Sequence, residues 1–280
     1  MKLKNIIIVA LAVILLPTCK KDDDEVEYTP IDMVGDVVWA TSYYSVIFRE
    51  AEDAWALVDK NNYSTDPITE ENESRKKTIT FKEPSEGKFV VDIEYNAWSL
   101  NDMTLMGTIT IDLPDKEVYG QSGRTAVIKL TNRFSVNGQI VTGNMPITCR
   151  FVTEGETQID RYDYKLNTAS IHSLEDDKKV IITCDVTNGS YTRIEGAETK
   201  ADPKDDVWSF TGTMTGMLRD DANFTYSNTV SGTEGETLLF KSTCYKALQG
   251  VCKLTVKGKS DMHYTYGTEC DSKILIETIH

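Results

Sequence analysis

From Thr78 to the C-terminus the chain alternates apolar and polar residues in short runs, and this period of two constrains the fold most. Thr78–Phe81, Lys88–Tyr95 and Thr108–Leu113 have the pattern of half-buried strands. The pattern recurs over Ala126–Asn132, Gln139–Val152, Thr157–Leu166, Lys179–Val186 and Val207–Met214, then Phe224–Val230, Thr237–Tyr245, Val251–Val256 and Ile274–Ile279. Between these runs stand the dipeptides that tight hairpins use: Asn137-Gly138, Glu154-Gly155, Asn188-Gly189, Glu234-Gly235 and Lys257-Gly258. No ten-residue helical pattern interrupts the series, so parallel crossovers have no segment to occupy. The expectation is a mainly β, antiparallel body over 78–280, either a sandwich or a long curved sheet.

One helix is expected before it. Val37, Thr41, Tyr44, Phe48, Ala51, Trp55 and Val58 recur at steps of three and four, which places them on one stripe of an amphipathic helix over 36–60. Asp36 reads as its N-cap, Asn61-Asn62 as its end, and Glu50, Glu52 and Asp53 as part of its solvent side. The polar stretch Asn61–Lys77 reads as a loop.

The first residues give an address. Lys2 and Lys4 precede an apolar run, Ile6–Leu16, that is too short for a comfortable membrane span and has the length of a signal-peptide core. It closes on Leu16-Pro17-Thr18-Cys19, which resembles a bacterial lipobox, with Pro17 atypical and Thr18 suitably small. That resemblance implies removal of residues 1–18 and lipidation of Cys19. The residues that follow, Lys20-Lys21-Asp22-Asp23-Asp24-Glu25, begin a charged tether over 19–35 and resemble the surface-export signal of Bacteroidota lipoproteins. The expected location is the outer membrane, lipid-anchored, at the cell surface; if the charged run is only a tether, the periplasm-facing side is the alternative.

Charge narrows the partners. The formal net charge is −14 at pH 7, and loss of residues 1–18 removes two lysines and makes it more negative by two. Such a chain is repelled by nucleic acid and by an anionic bilayer, so the expected membrane contact is the acyl anchor alone. A protein or glycan remains as the unidentified ligand.

A wider resemblance is carried by Gly123–Ile128, Phe134–Gly143, Trp208–Gly212, Cys244–Gly250 and Tyr266–Asp271. Their order, over roughly residues 100–279, is similar to that in uncharacterised Bacteroidota surface lipoproteins. The chain departs from that pattern before Gly123, where Asp112-Leu113-Pro114-Asp115 stands in place of a Gly- and Cys-bearing loop. The resemblance implies a shared β architecture and an envelope location, and it brings no activity. The echo of Asn137–Gly143 around Gly212 and Gly250 fits two related halves, about 78–186 and 187–280; turn-Gly-strand repetition explains it equally well.

Five cysteines follow Cys19. The same resemblance has Cys at both Cys244 and Cys270, and strand-turn-strand geometry brings them near each other, so they are the expected disulfide. Cys149 and Cys184 lie in apolar strands, as a second pair or as buried thiols, and Cys252 is left over. Zinc is not expected, because no Cys-x-x-Cys or paired-His spacing occurs.

No catalytic motif is found. His172, His263 and His280 are isolated, and neither Gly-x-Ser-x-Gly nor His-Glu-x-x-His occurs. Asp176-Asp177, Asp205-Asp206 and Asp220-Asp221 are oxygen-rich but lack calcium-loop spacing, and read as acidic turns. The reading is a non-enzymatic structural, adhesive or ligand-binding protein without metal or cofactor, with a glycan-binding or glycan-degrading accessory protein as the alternative. Tyr162/Tyr164 and Tyr264/Tyr266 each share one face of a strand. They are the candidate ligand platform, and sheet-stabilising core is the favoured role.

Overall fold

The computed structural model describes residues 28–85, 87–100, 102–115, 122–154, 157–173, 179–196, 205–227, 237–244, 246–267, 270 and 274–279. The signal segment, Cys19, the charged run after it, Asp176-Asp177 and His280 lie outside the described residues.

Helix α1 runs from Pro30 to Lys60. Its N-cap is Thr29 rather than Asp36: the Thr29 hydroxyl accepts from the Asp32 backbone N–H, and the Asp32 carboxylate accepts from the Thr29 N–H at 2.9 Å. This capping box, with Pro30 at the first helical position, satisfies donors that Asp36 cannot reach. The last residues assigned to the tether, 30–35, are therefore helical. Asn61 is the C-cap, as the sequence indicates.

Among the described residues, fourteen strands form one antiparallel sheet that does not close. They are β1 (Ile68–Asn72), β2 (Arg75–Ser85), β3 (Lys88–Leu100), β4 (Met103–Leu113), β5 (Thr125–Val136), β6 (Gln139–Glu154) and β7 (Thr157–Ser173). Then follow β8 (Val180–Glu195), β9 (Val207–Leu218), β10 (Asn223–Ser227), β11 (Leu238–Lys241), β12 (Gly250–Val256), β13 (Asp261–Tyr266) and β14 (Leu275–Ile279). Each strand up to β10 pairs with the next; β12, β13 and β14 continue the sheet beyond β10, and β11 pairs with the Val207–Phe210 end of β9. Of the two expected β architectures, the long sheet is the one formed.

Local chemistry accounts for the pairing. Asn137 and Gly138 both take positive φ, 51° and 76°, which the mirror-image two-residue turn between β5 and β6 requires. Two expectations change. The polar stretch after the helix contains β1, whose Glu70 and Glu71 face Lys77 and Lys76 across the pair. Asn188-Gly189 is not a hairpin turn: β8 runs through it, and the β8–β9 register slips between Val186 and Gly189.

The sheet wraps the helix. Every residue from Ala40 to Glu52 is buried, thirteen in succession, whereas a helix lying on a flat sheet buries one stripe. Contacts reach α1 from widely separated strands. Tyr95 of β3 donates to Glu50 at 2.7 Å, the Tyr44 hydroxyl donates to the Thr142 carbonyl of β6 at 2.8 Å, and Arg49 Nη1 donates to the Lys241 carbonyl of β11 at 2.5 Å. Phe48 stacks on Tyr191 of β8 at 4.1 Å between centroids and meets Tyr162 of β7 and Trp208 of β9 edge-on at 5.3 Å each. The helix is rich in β-branched Val and Ile, weak helix formers, so this burial rather than propensity stabilises it. Among the described residues no helix is long and apolar enough to cross a membrane.

Candidate functional site

Among the described residues, charge gathers inside the wrapped sheet and in a hollow on its outer face.

Inside, Arg49, Glu50, Glu52 and Asp53 follow one another along α1 and meet the inward side chains of the strands. Glu50 pairs with Lys77 of β2 at 3.0 Å, with both side chains under a tenth exposed. Arg193 of β8, 1% exposed, donates from Nη2 to Glu52 at 2.7 Å and from Nη1 to both oxygens of Asp206 at 3.0 and 2.9 Å. Its Nε lies 3.7 Å from Asp160, and its guanidinium lies 4.6 Å from the Trp208 ring centroid. Glu50, Glu52 and Asp53 were expected on a solvent side; the sheet encloses that side too, and a buried carboxylate persists only with counter-charge.

The interior acts on proton affinities. Burial pushes the Asp206 carboxyl up to about 7 against the pull of Arg193, with Glu52 and Asp205 adding to the rise. Asp53 is held well above the usual carboxylate range by burial, then by Glu52 and Glu50. Burial works to lower Lys77, but Glu50 and Glu70 outweigh it and its ammonium is held charged. Desolvation brings Arg49 down to about 10.

Glu52, Asp53 and Asp206 place one oxygen each within 4.8 Å of one another. The Arg193 guanidinium already supplies positive charge to Glu52 and Asp206, so the trio fits an ion-pair network better than a metal centre. Its chemistry is spent on fixing the helix in the sheet. A second tie does the same near the helix start, where Asp36 accepts from Arg219 Nε at 2.8 Å and from the Tyr28 hydroxyl at 2.6 Å.

Outside, a hollow of about 650 Å³ opens over β6–β9. Its floor is one row across four strands: Thr148 is opposite Asp163, Asp163 opposite Ser190, and Ser190 opposite Thr211. Arg150 and Arg161 face each other across β6 and β7 on one side, and Lys165 lies on the other. Thr187 and Asn188 at the β8 irregularity form part of the rim. Gly189 is required here, because a Cβ at that position would lie 2.3 Å from the Tyr164 ring. The sequence signal for this feature was Asn188-Gly189, which reads locally as a turn.

The four candidate tyrosines all lie inside. Tyr162, Tyr164, Tyr264 and Tyr266 are 0–4% exposed, so they are core, the role favoured from the sequence, and they form no exposed ligand platform; Tyr164 of the four also borders the outer hollow. Tyr164 stacks on Tyr191 at 4.9 Å, and Tyr226 on Tyr264 at 6.2 Å. Cys244 and Cys270 are disulfide-bonded, with Cα atoms 5.1 Å apart. Cys149 and Cys184 are buried thiols rather than a second disulfide, separated by β7, and Cys252 is a buried thiol beside the Tyr226 hydroxyl at 3.4 Å. Burial pushes the Cys184 and Cys252 thiols up to about 12. His172 contacts the Ser170 hydroxyl on β7 at 2.6 Å, and His263 lies on β13, so the two do not form a site together.

Comparison with protein-family models, with curated proteins and with solved structures finds no match.

Proposed function

We propose that this chain is an exported lipoprotein, anchored through acylated Cys19 at the outer membrane, whose β body is a non-catalytic scaffold for binding at the cell surface. The observation that carries the reading is the N-terminal order: a short basic start, the apolar run Ile6–Leu16, Cys19, then Lys20-Lys21 and an acidic stretch. Helix α1 is capped at Thr29, ten residues after Cys19 in the sequence. The resemblance of Lys20–Glu25 to the surface-export signal of Bacteroidota lipoproteins is the sequence ground for the same address.

The non-catalytic role is supported by where the ionisable groups are spent. Glu50, Glu52 and Asp206 are buried and bonded to protein cations that join the helix to the sheet. A glycan-binding accessory role is the second reading, and the polar hollow over β6–β9 favours it; the degrading variant has no comparable support.

Membrane fractionation of cells producing the full chain tests the anchor. Cys19→Ala should move the protein from the membrane to the soluble fraction, and unchanged membrane retention would overturn the lipoprotein reading. Protease shaving of intact cells tests the face: digestion of the body supports surface display, and complete protection assigns it to the periplasmic side.

A further inference from the structure

We propose that the hollow over β6–β9 binds a small, hydroxyl-rich anion: a sugar bearing a carboxylate, sulfate or phosphate. The proposal rests on the binding role given above and names its ligand class.

Charge at the hollow runs against that of the whole molecule. The chain carries a formal −14, yet Arg150, Arg161 and Lys165 line the hollow with Asp163 as the one acidic side chain among them. Arg150 and Arg161 are direct cross-strand neighbours, an arrangement that costs stability when charges are alike. Asp163 offsets part of that cost by accepting from Arg150 Nε at 2.6 Å and Arg161 Nε at 2.9 Å. Only the Nε of each arginine is used; among the described residues neither guanidinium makes a further hydrogen bond through its Nη atoms, and Lys165 forms no ion pair. Two positive charges therefore remain after Asp163 is counted, with guanidinium forks suited to a carboxylate or tetrahedral oxyanion.

The rest of the lining suits a polyol. Ser190 and Thr211 hydroxyls, 2.7 Å apart, lie on the floor, and the Asn188 amide is at the rim. These groups both donate and accept, as sugar hydroxyls require. A volume of about 650 Å³ accommodates a ligand of disaccharide size. Both arginines are about half exposed, with side chains at 56% and 42%, so they contribute to the surface rather than to the core.

Titration calorimetry on the full chain, solubilised from membranes, tests this with a sulfated disaccharide, a uronic-acid disaccharide, a sugar phosphate, a neutral disaccharide, inorganic sulfate and inorganic phosphate. At least one charged sugar should bind saturably, more tightly than the neutral disaccharide and more tightly than the inorganic ions. Arg150→Ala/Arg161→Ala should weaken that binding by about tenfold or more, with circular dichroism and melting unchanged, and Lys259→Ala should leave it intact. Equal binding of neutral and charged sugars would overturn the anion assignment while leaving a binding role. Binding of inorganic ions as tight as any sugar would reduce the site to an oxyanion site. Absence of binding to every probe, or binding indifferent to the double variant, would reject the hollow as the site, while membrane retention in the same preparation reads the anchor separately.

Discussion

Arg193 on β8 donates to Glu52 on α1 at 2.7 Å across 141 residues of sequence, and both side chains are under 5% exposed. The pair joins the helix to the strand layer that encloses it. Removing one partner strands the other charge in a low-dielectric interior. Arg193→Met should therefore destabilise the protein by about 3–5 kcal/mol, because Glu52 and Asp206 both lose their counter-charge. Glu52→Gln should cost less, since Arg193 keeps Asp206 at 2.9 Å. Urea denaturation of the two variants beside the parent checks the ranking; equal costs would argue that Glu52, not the arginine, organises the network.

Asp206 makes stability depend on pH near neutrality. Its folded-state pKa, about 7, lies above the ordinary 3.8, so between those values the folded protein holds a proton that the unfolded chain releases. The stabilising contribution is fully present below about pH 4 and is lost as pH rises through about 7. Asp53 acts in the same direction. Unfolding free energies measured from about pH 4 to about pH 8 should fall less steeply in Asp206→Asn than in the parent. A parallel pair of curves would show that Asp206 is ionised throughout.

The cysteines divide by burial and pairing. Cys149, Cys184 and Cys252 are 0–1% exposed, and two of them titrate only at about 12, so a thiolate-seeking alkylating reagent should leave all three unmodified in the native protein and label them after unfolding. Mass spectrometry reads this directly, and labelling of native Cys184 would contradict the enclosed position beside Tyr44. Replacing both Cys244 and Cys270 by Ser should cost about 3.5 kcal/mol in urea denaturation, the chain entropy restored when a loop spanning 26 residues is opened in the unfolded state.

Several features were open to local reading, and the reasons are physical. Alternation along Lys88–Tyr95 reports a strand because successive side chains point to opposite faces. Asn137-Gly138 reports a tight turn because few other residues tolerate two positive φ angles. The interior site was not legible in the same way. Glu50, Glu52 and Asp53 look like a solvated helix face, since nothing within a few residues of them reveals Lys77, Arg193 or Asp206. The outer hollow was hidden similarly: Arg150, Arg161 and Lys165 are ordinary surface residues until pairing aligns β6 with β7.

By itself the sequence determined the helix and most of the strands, because helix and strand periods, and most of the turns, are set by neighbouring residues; β1 and β13 were not among the runs it marked. It also determined that the body is antiparallel, by leaving no helical segment for crossovers. Tertiary structure alone decided that the sheet wraps α1 rather than supporting it on one side. Curvature of a fourteen-stranded sheet accumulates over many strands, and no short window encodes the sum. That wrapping turned the acidic face of a seemingly amphipathic helix into a buried ion-pair network, and only contacts distant in sequence supply the cations that make such burial tolerable.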